Sequence, residues 1–271
     1  MSYFFRKGGD MKNSIHLYCV SNNDSTLQRD LLRSPDLASG IVSITVLRGA
    51  MAASRAYHDA IGTADSHILV FAHQDVYFPS GWFLRLLSIC ERLASIDPNW
   101  AVAGLFGVSA EGSLAGHLWD SALGRVCGAP FDAPQEAVSL DEVVLIVRRA
   151  SRVSFDPTLP SFHLYGTDIV LNARKAGMKS YIVDLPVIHN AKPVVRLDRN
   201  YVSAYKFMVR KWAPLLPWPT VILPLTRNPL RLVFRASRIR YKAQFRASTL
   251  HPALDRPDLK ARELHFDFDV T

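Results

Sequence analysis

Between residues 14 and 108 the chain repeats one pattern: a short apolar, β-rich run, a polar stop, then a stretch with helical spacing. The apolar runs are 14–20 (SIHLYCV), 41–47 (IVSITVL), 67–72 and 100–108. Between them, 25–33, 50–61 and 79–96 are expected to be helices, with Gly62 closing the second. The third is the clearest. Pro79 stands near its first turn, and Trp82, Phe83, Leu86, Leu87, Cys90 and Leu93 recur on one face. Such alternation predicts an α/β fold built on a mostly parallel, doubly wound sheet with helices on both faces. In sheets of that kind ligands bind outside the carboxyl ends of the strands. Two polar stops fall on that edge: Asn22 and Asn23 after the first run, His73 and Asp75 after the third.

The second half is less regular. Residues 112–128 are expected to form a loop or hairpin containing Trp119 and Asp120, and 138–147 a strand. Thr167 is the expected N-cap of a helix over 168–176, with Gly177 just past its end. A short strand at 180–183 precedes His189, and 197–212 has helical spacing.

Composition narrows the classes. The 271 residues, 49% of them hydrophobic, suit one large domain or two small ones with a sizeable core. Cys19, Cys90 and Cys127 lie far apart with no CxxC pair, which fits a reducing compartment and argues against a disulfide scaffold or a structural zinc site. Residues 1–13 lack a signal-peptide apolar core and are expected to be a flexible tail. No apolar run reaches the roughly 20 residues that span a bilayer. The nearest, 212–225, is interrupted by Pro214, Pro217, Pro219 and Pro224.

The formal net charge is +8, and residues 227–246 hold seven basic side chains and no acid, so the rest is nearly neutral. A nucleic-acid enzyme spreads its basic residues over its active face, which argues against nucleic acid as the partner. Leu230, Phe234, Tyr241 and Phe245 recur at near-helical spacing among the arginines. That pattern predicts a basic helical extension, lying either on an anionic membrane surface or on the domain with a solvated basic face. The expected organisation is a catalytic domain over 14–212 and a Pro-rich, basic extension over 213–271.

Two clusters carry chemistry. In His73-Gln74-Asp75, Asp75 offers a hard oxygen suited to Mg²⁺ or Mn²⁺, and the imidazole of His73 is tolerated better by Mn²⁺. Two protein ligands are too few for a closed site, but suit an ion completed by water and substrate phosphates. The competing account is a turn, with Asp75 capping the next helix. Asp168 stands in the first turn of its helix, where the dipole favours a carboxylate and hence a general base; an ordinary N-terminal acid is the alternative. His189 is either a third ligand or a buried histidine.

The order of these elements carries more than any one of them. The segments ASRAYHDAIGTADSHILVFAHQDVYFPSGW and FHLYGTDIVLNARKAGMKSYIVDLPVIHN resemble the family 2 glycosyltransferases with the A-type nucleotide-diphospho-sugar fold. More narrowly they resemble a bacterial branch carrying HQDV, and the resemblance covers residues 14–212. It implies sugar transfer, with inversion, from a nucleotide-diphospho-sugar to a saccharide or lipid-linked saccharide, in surface polysaccharide or glycolipid synthesis. The cysteine pattern points to a cytoplasmic enzyme, and the basic segment makes peripheral contact with the inner face of the membrane one of its two readings. Mn²⁺ or Mg²⁺ is the implied cofactor, held by Asp75, His189 and His73, with Asp168 as catalytic base. Asn22, Arg48, Arg55, Gln74 and Asp75 are candidates for the nucleotide-sugar, and Trp119, Asp120 and His163 for the sugar or acceptor pocket. The chain departs from the family at Thr167, where an acid is usual, and at Leu47-Arg48-Gly49-Ala50, where Asp-Asp-Gly-Ser is frequent. Rival readings are an inactive sugar-nucleotide binder and a nucleic-acid binder using the basic segment. A nucleotidyltransferase would want a Gly-rich phosphate loop, which SNNDST after the first run does not supply.

Overall fold

The computed structural model describes residues 14–191, 197–228 and 251–268, together with positions 230, 233–234, 237–238 and 241. The expected tail at 1–13, Phe245 and most arginines of the basic segment lie outside the described residues. The first three apolar runs become β1 (Ile15–Ser21), β2 (Ser43–Arg48) and β3 (Ile68–Ala72). They pair in parallel in the order β2-β1-β3. Every residue of β3 is buried, and successive side chains enter opposite cores. Ile68, Val70 and Ala72 meet Trp82, Phe83, Leu86, Cys90 and Leu93 of a helix at Trp82–Ile96. Leu69 and Phe71 meet Tyr57 and Ala60 of a helix at Ala53–Thr63. Burying one such side chain is worth about 1.5–3 kcal/mol. The strand therefore holds helices to both faces, as the alternation predicts.

The α-helices in chain order are α1 (Asp24–Arg29), α2 (Pro35–Ala38), α3 (Ala53–Thr63), α4 (Trp82–Ile96), α5 (Tyr165–Lys175), α6 (Arg199–Lys211) and α7 (Pro257–Glu263). Helix α4 starts three residues later than expected from Pro79, because Gly81, at φ 73°, turns the chain into it. Gly62 lies within α3, which ends before the extended Ala64. Gly177, at φ 73°, follows the α5 cap as expected.

Beyond β3 the sheet is mixed. Its remaining strands are β4 (Val76–Tyr77), β5 (Val102–Gly104), β6 (Phe106–Ser109), β7 (Leu114–Asp120), β8 (Arg125–Gly128), β9 (Gln135–Leu140), β10 (Val144–Arg148), β11 (Ser180–Ile182) and β12 (Ile188–His189). The order is β2-β1-β3-β10-β5-β11-β9-β6-β7-β12-β4, with β8 beside β7. Strand β10 enters antiparallel between β3 and β5. The single strand expected at 100–108 breaks at Leu105 into β5 and β6, which pair with different partners. Gly107 permits the close approach of β9, since a Cβ there would run into the Ser139 carbonyl. The strand expected at 138–147 likewise splits, at the turn 141–143. Local pattern does not report the break at Leu105, because both halves remain apolar, whereas the acid pair Asp141-Glu142 marks the other.

The Pro-rich stretch folds back on the domain. Trp212, Leu223 and Leu225 are buried in the α3/α5/α6 core, and Trp218 Nε1 donates to the Val138 carbonyl at 2.9 Å. Three of its apolar side chains are thus spent inside, while Leu215 and Ile222 stay exposed. Among the described residues no helix is long and apolar enough to cross a membrane.

Candidate metal centre and cleft

Strand β3 delivers His73, whose backbone N–H continues the pairing to the Val143 carbonyl at 3.1 Å. Asp75 follows and leads into β4, which pairs antiparallel with β12 and sets His189 opposite Val76. On its other side β12 pairs parallel with β7 and sets His189 opposite Asp120. Two short ladders thus gather residues from three distant parts of the chain. Nε2 of His189 lies 3.7 Å from Asp75 Oδ1, and Nδ1 of His73 lies 4.0 Å from it. One ligand atom from each of His73, Asp75 and His189 falls within 4.8 Å of the others. Two imidazoles and a carboxylate fit a divalent ion with positions left for substrate oxygens, and favour Mn²⁺ over Mg²⁺.

The rings are held from behind. His189 Nδ1 bonds Asp120 Oδ2 at 3.1 Å, and Asp120 Oδ1 accepts from the Leu123 N–H at 2.9 Å. His73 Nε2 bonds the Tyr165 hydroxyl at 3.1 Å. These partners fix which nitrogen faces the centre, the usual support of a metal-ligating histidine. They also set the charges. Burial disfavours protonated His189, but the Asp120 hydrogen bond and the Asp75, Asp120 and Asp141 carboxylates prevail and raise its pKa to about 9. Burial holds His73 below the ordinary histidine range, against the pull of Asp75. His73 would serve as a neutral ligand as it stands, and His189 would have to release its proton to bind a cation.

Other expected residues are placed differently. Gln74 Oε1 accepts from Ser21 Oγ at 2.8 Å and from the Asn22 and Asn23 N–H groups at 3.1 Å, and its Nε2 donates to Asn22 Oδ1 at 2.8 Å. Gln74 and Asn22 therefore stitch the ends of β1 and β3 together, with their amides largely used on each other. Arg48 pairs with Asp24, and Arg55 with Asp59 at 3.3 Å, both exposed. Both arginines line an open cavity of about 1140 Å³ between β2 and α3, with His16, Tyr18, Thr45 and Met51.

Two of the pocket candidates already have partners within the domain. Lys260 Nζ lies 4.7 Å from the Trp119 ring centroid, and the half-buried ring packs on the cluster of Tyr77, Ile188, Ala261 and Phe266. Asp120 is spent on His189 and Leu123 and supports the centre rather than an acceptor hydroxyl. His163 lies on the loop before α5, 3.7 Å from Asp198 and edge-on to Tyr201, and burial lowers its pKa.

Asp168 is the largest departure. It is 1% exposed. Lys211 Nζ donates to both its oxygens, at 2.8 and 2.9 Å, and Trp212 Nε1 donates to Oδ1 at 2.8 Å. Lys211 also pairs with Asp156 at 2.7 Å. Burial raises the Asp168 pKa, and Lys211 offsets part of that rise. A base must reach the proton it takes, and these oxygens face a lysine and an indole instead. Thr167 is not the cap: Leu164, at φ 65°, precedes α5, and the Thr167 hydroxyl bonds Ser139 Oγ at 2.8 Å.

The turn between β9 and β10 holds two acids that sequence pattern hides inside one apolar run. Register puts Val143 beside His73, so Asp141 and Glu142 flank the centre from the β10 side, and Asp141 acts electrostatically on both imidazoles. Glu142 Oε1 accepts from the Gly166 N–H at 3.4 Å, and burial with the nearby Asp141 charge raises its pKa to about 8. An acid pair between two β-branched stretches is the sequence signal that finds them.

No family model matches the chain. A curated protein of Fuscovulum blasticum, "ATP synthase subunits region ORF 6", is 28% identical over 158 residues, covering 55% of this chain and 61% of its own length. The chain thus spans under two thirds of that relative, whose name describes a gene region rather than an activity. Among solved structures, the mannosyltransferase PcManGT from Pyrobaculum calidifontis, in complex with GDP-Man and Mn²⁺, aligns over 94% of this chain and 81% of its own. That alignment has 11% identity and a TM-score of 0.46. GalNAc-T7 with UDP, GalNAc and Mn²⁺ aligns over 89% of this chain and 58% of its own, at 13% identity and a TM-score of 0.46. S. aureus TarS 1–349 with UDP-GlcNAc aligns over 76% and 67%, at 11% identity and a TM-score of 0.43. Likenesses at this level carry no functional argument, which rests on the geometry of this chain's own residues.

Proposed function

We propose that the protein is a metal-dependent glycosyltransferase using a nucleotide-diphospho-sugar donor, with the A-type arrangement that the sequence resembles. The observation that carries this reading is the convergence of His73, Asp75 and His189 at the carboxyl end of β3, where ligands of α/β sheets bind. An ion held there supplies neutralising charge to the diphosphate as the nucleotide leaves. Arg48 and Arg55, lining the cavity between β2 and α3, are the cationic side chains that this reading assigns to the nucleotide. His163, close enough to His73 to act on it electrostatically, is assigned in this reading to the acceptor side. Because Asp168 is sequestered by Lys211, the role of acceptor base passes in this reading to Asp141, half-exposed on the turn beside His73. Attack by the acceptor hydroxyl from the far face gives inversion, with no covalent enzyme intermediate.

A saccharide or lipid-linked saccharide acceptor, a role in bacterial surface polysaccharide or glycolipid synthesis, and peripheral contact with an anionic membrane complete the reading. The exposed Leu230, Val233, Phe234 and Tyr241 support that contact. The burial of Asp168 favours a second reading, a sugar-nucleotide binder without transfer activity. A thermal-shift screen of UDP-, GDP-, dTDP- and CMP-sugars with and without Mn²⁺ tests both. A shift for one donor that needs Mn²⁺, with slow donor hydrolysis, is expected; binding without hydrolysis supports the second reading, and no shift for any donor sinks both.

A further inference from the structure

The corner that holds the metal group is built from little. Strands β4 and β12 have two residues each, and β4 is the last strand of the sheet. Ladders so short do not hold a ligand geometry unless something buries them. Residues 251–268 do so. Fully buried Ala261 on α7, with Leu264 and Phe266, packs on Tyr77 of β4 and Ile188 of β12. Lys260 lies over Trp119 of β7. Further along, the Phe268 N–H donates to the Ser80 carbonyl at 2.8 Å, and the Ser80 N–H donates to Asp267 Oδ1 at 2.9 Å.

Asn190, next to His189 and 1% exposed, joins this segment to the ligands. Its backbone N–H donates to the Asp75 carbonyl at 2.7 Å. Its Nδ2 donates to Asp30 Oδ1 and to the Leu254 carbonyl, both at 2.8 Å, and its Oδ1 accepts from the Leu254 N–H at 2.7 Å. One side chain thus ties β12, the residue after α1 and the C-terminal segment around the backbone of two of the three ligands. An aliphatic side chain there would leave Leu254 and Asp30 without these bonds in a buried place.

We infer that residues 251–268 form a brace that fixes the geometry of the His73–Asp75–His189 group, and that Asn190 is the positioning residue through which the brace acts. The metal part of this inference rests on the proposed function; the brace itself does not. Two full-length variants test it, Asn190→Ala and Ala261→Glu, neither of which removes a ligand. Each is compared with the unaltered protein by Mn²⁺ titration and by amide hydrogen exchange. The expected result is Mn²⁺ affinity about 10–100-fold weaker, the usual scale for lost support behind a ligand. Exchange should be faster at 74–78 and 186–191 and unchanged at 68–72. If Ala261→Glu accelerates exchange everywhere, it has unfolded the domain, and Asn190→Ala decides. Unchanged exchange at 74–78 and 186–191 overturns the brace, and faster exchange with full Mn²⁺ affinity overturns the positioning role. Absence of Mn²⁺ uptake by the unaltered protein defeats the metal reading instead, and the exchange pattern still decides whether the brace exists.

Discussion

At the end of β3, Asp75 lies between two imidazoles at 3.7 and 4.0 Å, with its charge available to a cation. At the start of α5, Asp168 receives Lys211 on both oxygens and Trp212 on one. Both are aspartates just past a predicted element boundary, and both look like site residues in the sequence. The difference is the permanent counter-charge. A lysine 43 residues downstream neutralises Asp168 and fastens the end of α6 to the domain. Around Asp75 the neighbours are groups that can lose a proton and bind a metal. The comparison teaches that a carboxylate is read by what completes its charge, not by its place in a motif.

The sharpest break of this comparison is a matched pair of substitutions. Asp75→Ala should abolish Mn²⁺ binding and donor turnover, whereas Asp168→Asn should leave Mn²⁺ affinity within a fewfold of its starting value. Titration of both variants checks this, and a loss of Mn²⁺ affinity in Asp168→Asn comparable to that in Asp75→Ala would remove the distinction.

A smaller effect sharpens the structural side. Lys211→Met strands the Asp168 carboxylate in the interior and should cost about 3–5 kcal/mol in denaturant unfolding. Lys211 is itself 22% exposed, which places the effect at the lower end of that range. Adding Asp168→Asn should restore part of the loss, because the buried charge is removed with its partner while Asp156, which also pairs with Lys211, still loses that ion pair.

The smallest effect, taken per pH unit, is one of pH. Glu142 keeps its proton up to about 8 in the folded chain, above its ordinary carboxyl value. The folded state therefore binds more protons than the unfolded state across the window between ordinary glutamate titration and pH 8, and stability falls as pH rises through it. The Glu142 contribution is fully present below the window and amounts to about 1 kcal/mol per pH unit inside it. Glu142→Gln should flatten that slope, which melting at pH 5, 6.5 and 8 measures.

Much of this was legible in the chain. The apolar character of 67–72 predicts a central strand, and the spacing of Trp82, Phe83, Leu86, Cys90 and Leu93 predicts the helix on its face. The polar stop His73-Gln74-Asp75 lies at the strand's carboxyl end as expected. Other features resist local reading. The break at Leu105 lies inside an apolar run, where periodicity carries no signal, and the one at 141–143 is marked only by the acid pair Asp141-Glu142. Asp120 acquires its role only through a parallel ladder with His189, 69 residues away. Asn190 looks like an ordinary loop amide until residues 251–268 return to meet it.

The sequence by itself determined which stretches are buried, on which face each side chain stands, and which residues carry ionisable groups at a strand end. Those follow from periodicity and from hydrophobic burial, which act over a few residues. Tertiary structure alone decided that Asp75 and His189 share a centre while Asp168 is locked to Lys211. The physical reason is range: burial and pairing of charge depend on groups far apart in the chain, and only folding brings them within a few ångströms.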